Sequence, residues 1–168
     1  MAETLQYKQP HMLRHDFEIL REEKPVGAVS YEGISHRLAH AHFDGTAIQI
    51  KQDGLLRTEV TVTAADSGET MGVYREPMLG RTGKLAIGDT EYTFGRVGKK
   101  IALKSSYAWK NTDGNELITY HVKGIVRNVG EIAVSDAALA LPDSSLLILL
   151  GLFNCLHREE GDASAAGA

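Results

Sequence analysis

Three histidines of this chain have the type and spacing of metal ligands. His40 and His42 are separated by one residue, so on a β-strand both imidazoles project from the same face, and His36 shares their parity. A cupin-like site would also need a glutamate three or four residues after the second histidine, where the sequence has Thr46 and Ala47. Since histidines on a polar strand face are more often solvated, a metal-dependent enzyme using these three is only an alternative, and no metal or cofactor is expected.

Positive charge is concentrated in one stretch of the sequence. From Arg81 to Lys110 there are seven basic and two acidic residues, a net +5 in a chain whose formal net charge is -4. Lys99 and Lys100 follow a Gly-Arg-Val-Gly turn whose backbone amides suit a phosphate group. The candidate headgroup-binding residues in this stretch are Arg81, Lys84, Arg96, Lys99, Lys100 and Lys104. The alternative is that these side chains only keep the outer faces of strands soluble.

Familiar catalytic motifs are missing from the sequence. Gly83-Lys84 lacks the rest of a nucleotide-binding P-loop, because Met78 replaces the first glycine and Leu85 the magnesium-binding Ser or Thr. There is no G-x-S-x-G nucleophile motif, and Cys155 lies in an apolar stretch where a thiol acts as a small hydrophobic group. We therefore expect no catalytic residues and a protein that is not an enzyme.

The composition is that of an ordinary soluble domain. The chain has 168 residues, 43% of them hydrophobic and 24% charged, and one cysteine, which excludes an intramolecular disulfide and favours a reducing compartment. Its N-terminal sequence lacks the basic and apolar regions of a secretory signal. These features predict a cytoplasmic protein, peripheral to the membrane if it binds lipid, and the net charge argues against nucleic acid as a partner.

Short β-strands are predicted from about Leu13 to Val134. Turn dipeptides separate the segments, and within each segment apolar and polar residues alternate: Ile48 and Ile50 oppose polar neighbours, and so do Tyr92 and Phe94. The turns are expected at Asp44-Gly45, Asp53-Gly54, Ser67-Gly68, Gly88-Asp89 and Asp113-Gly114. This pattern predicts an antiparallel meander in which every strand has one face in the core.

The C-terminal region contains the only strongly apolar helix. Pro142-Asp143-Ser144-Ser145 is typical of a helix start, and the apolar residues from Leu146 to Leu156 cover the whole circumference. Such a helix must be buried on all sides or lie in lipid, and the uninterrupted run from Leu146 to Phe153 is too short to span a bilayer. A membrane-anchoring tail helix remains the alternative to burial inside the protein.

The fold predicted from these elements is mainly β: a closed antiparallel β-barrel of about 10–12 strands that encloses a hydrophobic C-terminal α-helix. A barrel of this size leaves room for a helix, whereas eight strands leave room only for side chains. We expect one domain over residues 1–157, with the central helix at about 143–157 and a disordered tail at 158–168.

The order of barrel first and apolar helix last resembles the tubby C-terminal-like superfamily, which includes LURP-one-related proteins and scramblases. The residues that carry the resemblance are YTFGRVGKK, IALKSSYAWKNTDGNELITYHVKG, GEIAVSD and LPDSSLLILLGLFNCL. The resemblance implies a non-enzymatic protein, because members of this superfamily are generally not enzymes. It also suggests phosphoinositide as a ligand, since tubby domains bind it through a basic surface pocket. It does not imply scramblase activity, since the calcium-binding and cysteine-rich segments of scramblases are absent.

Two functions of different classes follow from these observations. The first is a binding module for anionic phospholipid or phosphoinositide headgroups, using the six basic residues named above. The second is a protein-interaction or structural scaffold that binds no lipid. The expected partners are accordingly an anionic membrane surface or another protein, with no nucleic acid and no transmembrane span.

Overall fold

The chain folds as a closed antiparallel barrel. Its computed structural model describes residues 2–10, 16–33, 37–53, 59–77, 82–98, 104–123 and 129–166. Twelve strands lie within these ranges: β1 Glu3–Lys8, β2 Asp16–Arg21, β3 Lys24–Glu32, β4 Leu38–Phe43, β5 Thr46–Asp53, β6 Glu59–Ala64, β7 Thr70–Arg75, β8 Thr82–Ile87, β9 Thr90–Arg96, β10 Lys104–Lys110, β11 Glu116–Lys123 and β12 Val129–Val134. Each strand pairs with its neighbours in the chain, and β1 pairs with β12 to close the barrel.

The predicted alternation of core and solvent faces is confirmed in the described strands. Ile48 and Ile50 are buried in β5, and Tyr92 and Phe94 are buried in β9. Four of the five predicted turns connect adjacent strands, at Asp44-Gly45, Ser67-Gly68, Gly88-Asp89 and Asp113-Gly114. The fifth includes Gly54, which lies outside the described residues.

Strand β1 was not predicted, although it closes the barrel. It precedes the region in which the turn pattern begins, and its six residues contain only two buried side chains, Leu5 and Tyr7. The β2–β3 turn was also missed, because Glu22 and Glu23 form it with positive φ values of 48° and 66° and without glycine.

The C-terminal helix lies inside the barrel, as predicted. After the short helix α1 (Asp136–Leu139), helix α2 runs from Ser144 to Ala166. Every residue from Leu146 to Leu156 is buried, and α2 contacts β4 and β5 on one side of the ring and β10 and β11 on the opposite side. A helix with apolar residues on all faces therefore has its whole circumference covered by the barrel wall.

Two polar atoms of the wall hold the helix in register. Trp109 Nε1 donates to the Leu147 carbonyl at 2.8 Å, and the Tyr120 hydroxyl donates to the same oxygen at 2.8 Å. Gly151 makes this close approach possible, since a Cβ there would overlap the Tyr120 hydroxyl and the Trp109 ring nitrogen. Because both donors are buried, these bonds also satisfy polar groups that would otherwise be costly in the core.

Helix α2 extends further than predicted. Its helical assignment continues to Ala166, past the predicted helix end at about residue 157. The terminal sequence is rich in alanine, which has the highest helix propensity, and it follows a helix already held in place by the barrel. At 1.5 Å per residue, α2 is roughly 34 Å long, about twice the length of its buried segment.

Candidate functional site

The two ends of the barrel are connected in different ways. Strands β2 to β11 join in pairs through short turns at one end, where α1 and the start of α2 also lie. The turns at this end contain two to five residues, and the connections at the opposite end contain five to seven. These join β1 to β2, β3 to β4, β5 to β6, β7 to β8, β9 to β10 and β11 to β12.

The end with the short turns is acidic. We define it by residues 3, 21–24, 43–46, 64–70, 87–90, 110–116 and 134–144, all of them described. These residues include eleven Asp or Glu and three Lys or Arg, which corresponds to a net charge of −8. We call this part of the molecule the acidic end.

The opposite end is basic. We define the basic end by the strand termini and connections at residues 8–16, 32–38, 53–59, 75–82, 96–104 and 123–129. Their sequences include twelve Lys or Arg and five Asp or Glu, a net charge of +7. Six of these cations lie outside the described residues. The two strands on either side of each of them have their nearer termini at the basic end.

Helix α2 leaves the barrel at the basic end, and Arg158 marks this point. Its Nη2 is 2.7 Å from Glu76 Oε1 and donates to the Tyr74 hydroxyl at 3.4 Å. The Arg158 side chain is only 15% exposed, and its guanidinium carbon lies 5.2 Å and 5.6 Å from the ring centroids of Phe94 and Tyr107. Two aromatic rings and one carboxylate thus hold this cation at the opening of the barrel. We call this site, formed by Tyr74, Glu76, Phe94, Tyr107 and Arg158, the mouth.

Arg96 is the second cation at the mouth. It is the last residue of β9 and shares the inward parity of Tyr92 and Phe94, so its half-buried side chain follows the inner wall. Its guanidinium carbon lies 5.8 Å from the centroid of Tyr107, a ring that Arg158 also contacts. Two guanidinium groups therefore share one aromatic ring, and Glu76 is the carboxylate that pairs with Arg158.

Burial affects the titrating groups around this mouth. It raises the pKa of Glu76 above its ordinary value, an effect that the neighbouring Arg158 partly opposes. It also raises the pKa of the Tyr74 hydroxyl above its ordinary value. The guanidinium groups of Arg96 and Arg158 stay charged at neutral pH. Because Glu76 is the carboxylate among the residues that form it, the mouth has a net positive charge.

The described headgroup candidates do not form one cluster. Arg96 lies in the mouth, but Lys84 is exposed on the outer wall, where its Nζ is 3.7 Å from Glu91 Oε1. Lys104 begins β10 and so lies at the basic end. The remaining candidates, Arg81, Lys99 and Lys100, lie outside the described residues, in connections of the basic end.

The outer wall beside Lys84 contains a cavity of about 530 Å³. Its lining includes Arg75 and Lys84 together with Glu59, Glu76 and Glu91. Arg75 pairs with Glu59 at 3.0 Å and Lys84 with Glu91, so both cations in this cavity already have carboxylate partners. With three carboxylates and two cations in its lining, the cavity has a formal net charge of −1 and is consequently a weaker anion site than the mouth.

The histidines do not form a metal site within the described part of the chain. His40 and His42 are both exposed on the same face of β4, as predicted from their spacing. His40 Nε2 lies 2.8 Å from Glu32 Oε2, and no group of three possible ligands occurs among the described residues. His36 lies outside them.

Sequence reasoning missed Arg158, which was assigned to the tail. Its partners Glu76 and Tyr74 are more than eighty positions away in the chain, so no local pattern links them. Its position directly after the apolar segment of α2 could have identified it, because a helix that leaves a barrel passes the mouth where its apolar segment ends.

Comparisons with family models, with curated proteins and with solved structures found no match to this chain. The resemblance to tubby-like proteins stays a prediction for this reason. Within the described residues, no helix is long and apolar enough to cross a membrane.

Proposed function

We propose that this protein is a non-enzymatic module that binds anionic phospholipid headgroups with the basic end of its barrel. The observation that supports the proposal is the charge of the sequence segments at the two ends. The strand termini and connections of the basic end sum to +7, with six of their cations outside the described residues, and those of the acidic end sum to −8. Each Lys or Arg near an anionic membrane contributes about 1 kcal/mol of attraction. An anionic surface would therefore attract one end and repel the other.

The mouth supplies the site for a headgroup phosphate in this proposal. Arg96 and Arg158 present two guanidinium groups beside Tyr107, and guanidinium is the cation best shaped to bind phosphate oxygens. The sequences of the connections that join the strands at the same end contain further Lys and Arg residues. In this arrangement the mouth binds one headgroup while the surrounding cations interact with neighbouring lipids.

A membrane surface is favoured over a soluble anion by the sequence of these connections. Several of them place an apolar pair next to an arginine, as in Met12-Leu13-Arg14, Leu55-Leu56-Arg57 and Ile125-Val126-Arg127. This combination of cations and apolar side chains suits the boundary between headgroups and acyl chains. The sequences of these connections thus combine side chains that could bind phosphate with side chains that could enter lipid.

Vesicle co-sedimentation tests the proposal on the wild-type protein. At low salt we expect binding to vesicles that contain phosphatidylserine and none to pure phosphatidylcholine, with binding lost at high salt because screening removes the attraction. Added inositol phosphate should compete if the mouth binds the headgroup. Absence of binding to phosphatidylserine vesicles at low salt would contradict the proposal.

A further inference from the structure

Glu76 belongs both to the mouth and to the cavity on the outer wall. Its Oε1 is 2.7 Å from Arg158 Nη2 in the mouth, and the same residue lines the cavity of about 530 Å³ beside Lys84. Glu76 follows directly after β7, in which Tyr74 is buried in the barrel and Arg75 is exposed outside it. One carboxylate at the rim is therefore shared by the two sites.

The Glu76 carboxylate has room for a second cation. Its two oxygens can accept several hydrogen bonds, and among the described residues Arg158 is its only partner. The Glu76 side chain is 33% exposed, so a ligand can reach it. Burial raises the pKa of this carboxyl group because its ionised form is poorly solvated, so a second cation beside it would be favourable.

The lining of the cavity favours a cation at Glu76. Arg75 pairs with Glu59 at 3.0 Å. Lys84 pairs with Glu91 at 3.7 Å. Each cation of the lining thus has a carboxylate partner other than Glu76, and the lining keeps a formal net charge of −1. The remaining lining residues are small or apolar and suit a short carbon chain: Val73, Pro77, Thr82 and Ala86.

We propose that the mouth and the cavity together bind a headgroup that has both a phosphate and a primary ammonium group, as phosphatidylserine has. This inference rests on the proposed function and adds headgroup selectivity to it. The phosphate binds Arg96 and Arg158, and the ammonium group donates to the second oxygen of Glu76. The Arg158–Glu76 pair places a cation beside a carboxylate, which complements a phosphate beside an ammonium group.

Other common headgroups lack one half of this interaction. The glycerol and inositol headgroups have hydroxyl groups in place of the ammonium group, so they leave Glu76 without a second cation. The trimethylammonium group of choline has no N–H to donate to a carboxylate. The primary ammonium group is thus the feature of the headgroup that Glu76 distinguishes.

The test compares vesicles of equal surface charge in co-sedimentation. Phosphatidylserine and phosphatidylglycerol have the same net charge at neutral pH, but only phosphatidylserine has an ammonium group. Glu76→Gln removes the carboxylate from the mouth, and Glu91→Gln removes one from the cavity alone. The matched control is Glu69→Gln, at an exposed position of the acidic end. Each variant loses one negative charge and is first compared with wild type in thermal unfolding.

We expect wild type and Glu69→Gln to bind phosphatidylserine vesicles roughly tenfold more tightly than phosphatidylglycerol vesicles. In Glu76→Gln this ratio should fall below about twofold, because the ammonium group loses its acceptor and the mouth becomes more positive. Glu91→Gln should weaken binding to phosphatidylserine, since Lys84 loses its partner and repels the ammonium group. Its binding to phosphatidylglycerol should stay within about twofold of wild type.

Equal binding of wild type to the two kinds of vesicle would overturn the inference and leave the proposed function intact, even if Glu76→Gln fails to fold. A preference that persists in a folded Glu76→Gln protein would also overturn it. Failure of wild type to bind either kind of vesicle at low salt would overturn the proposed function. Stabilisation by soluble phosphoethanolamine and not by glycerol phosphate, without vesicle binding, would support the same site for a soluble ligand and overturn the membrane function.

Discussion

Leu149→Asp is expected to prevent the protein from folding into a soluble form. Leu149 is fully buried in the part of α2 that the barrel surrounds, and no ion-pair partner lies among the described buried residues there. The loss of leucine packing together with burial of an unpaired carboxylate costs on the order of 5 kcal/mol or more. That is comparable with the whole stability of a typical domain, about 5–15 kcal/mol.

The matched control for this prediction is Leu139→Asp. Leu139 is the last residue of α1 and is 41% exposed, so the same substitution should change the free energy of unfolding little. Soluble yield, circular dichroism and thermal unfolding of both variants measure the difference. A soluble Leu149→Asp protein with the wild-type melting temperature would contradict the placement of α2 inside the barrel.

Reversal of two cations at the basic end should remove most of the lipid binding. Lys8 and Arg37 are exposed there, and neither forms an ion pair with another described residue. If each contributes about 1 kcal/mol, then Lys8→Glu with Arg37→Glu should weaken binding to phosphatidylserine vesicles roughly 30-fold or more, since repulsion is added. Lys99→Glu with Lys100→Glu should have a similar effect.

The acidic end supplies a control with the same change in net charge. Lys24 and Lys110 lie there, so Lys24→Glu with Lys110→Glu also lowers the net charge by four. Co-sedimentation of the two double variants should show a large loss for the first and a small one for the second. Equal losses would mean that total charge, and not the basic end, determines binding.

Local patterns were sufficient to predict much of the fold. Glycine-containing turns and alternating apolar residues indicate hairpins, because both signals act over only a few residues. The helix from Leu146 to Leu156 could be assigned to the interior because its apolar residues cover all faces. Strand β1 and the Glu22-Glu23 turn were missed because they lack these signals.

The candidate site was less predictable, because it depends on which strand ends meet in space. The net +5 counted from Arg81 to Lys110 combines both ends of the barrel, since Asp89 and Lys110 lie at the acidic end. Lys84 belongs to the outer wall. The separation of charge becomes apparent only when the direction and pairing of all twelve strands are known.

The central claim is that the basic end faces the membrane, and fluorescence quenching by lipid-borne spin labels tests it most directly. Fluorophores would be attached at Pro10→Cys, at the basic end, or at Thr112→Cys, at the acidic end, two exposed positions without charge. Cys155 is buried and should not react in the folded protein. On phosphatidylserine vesicles we expect strong quenching of the fluorophore at position 10 and little at position 112. Equal quenching at the two positions, or stronger quenching at position 112, would contradict the account.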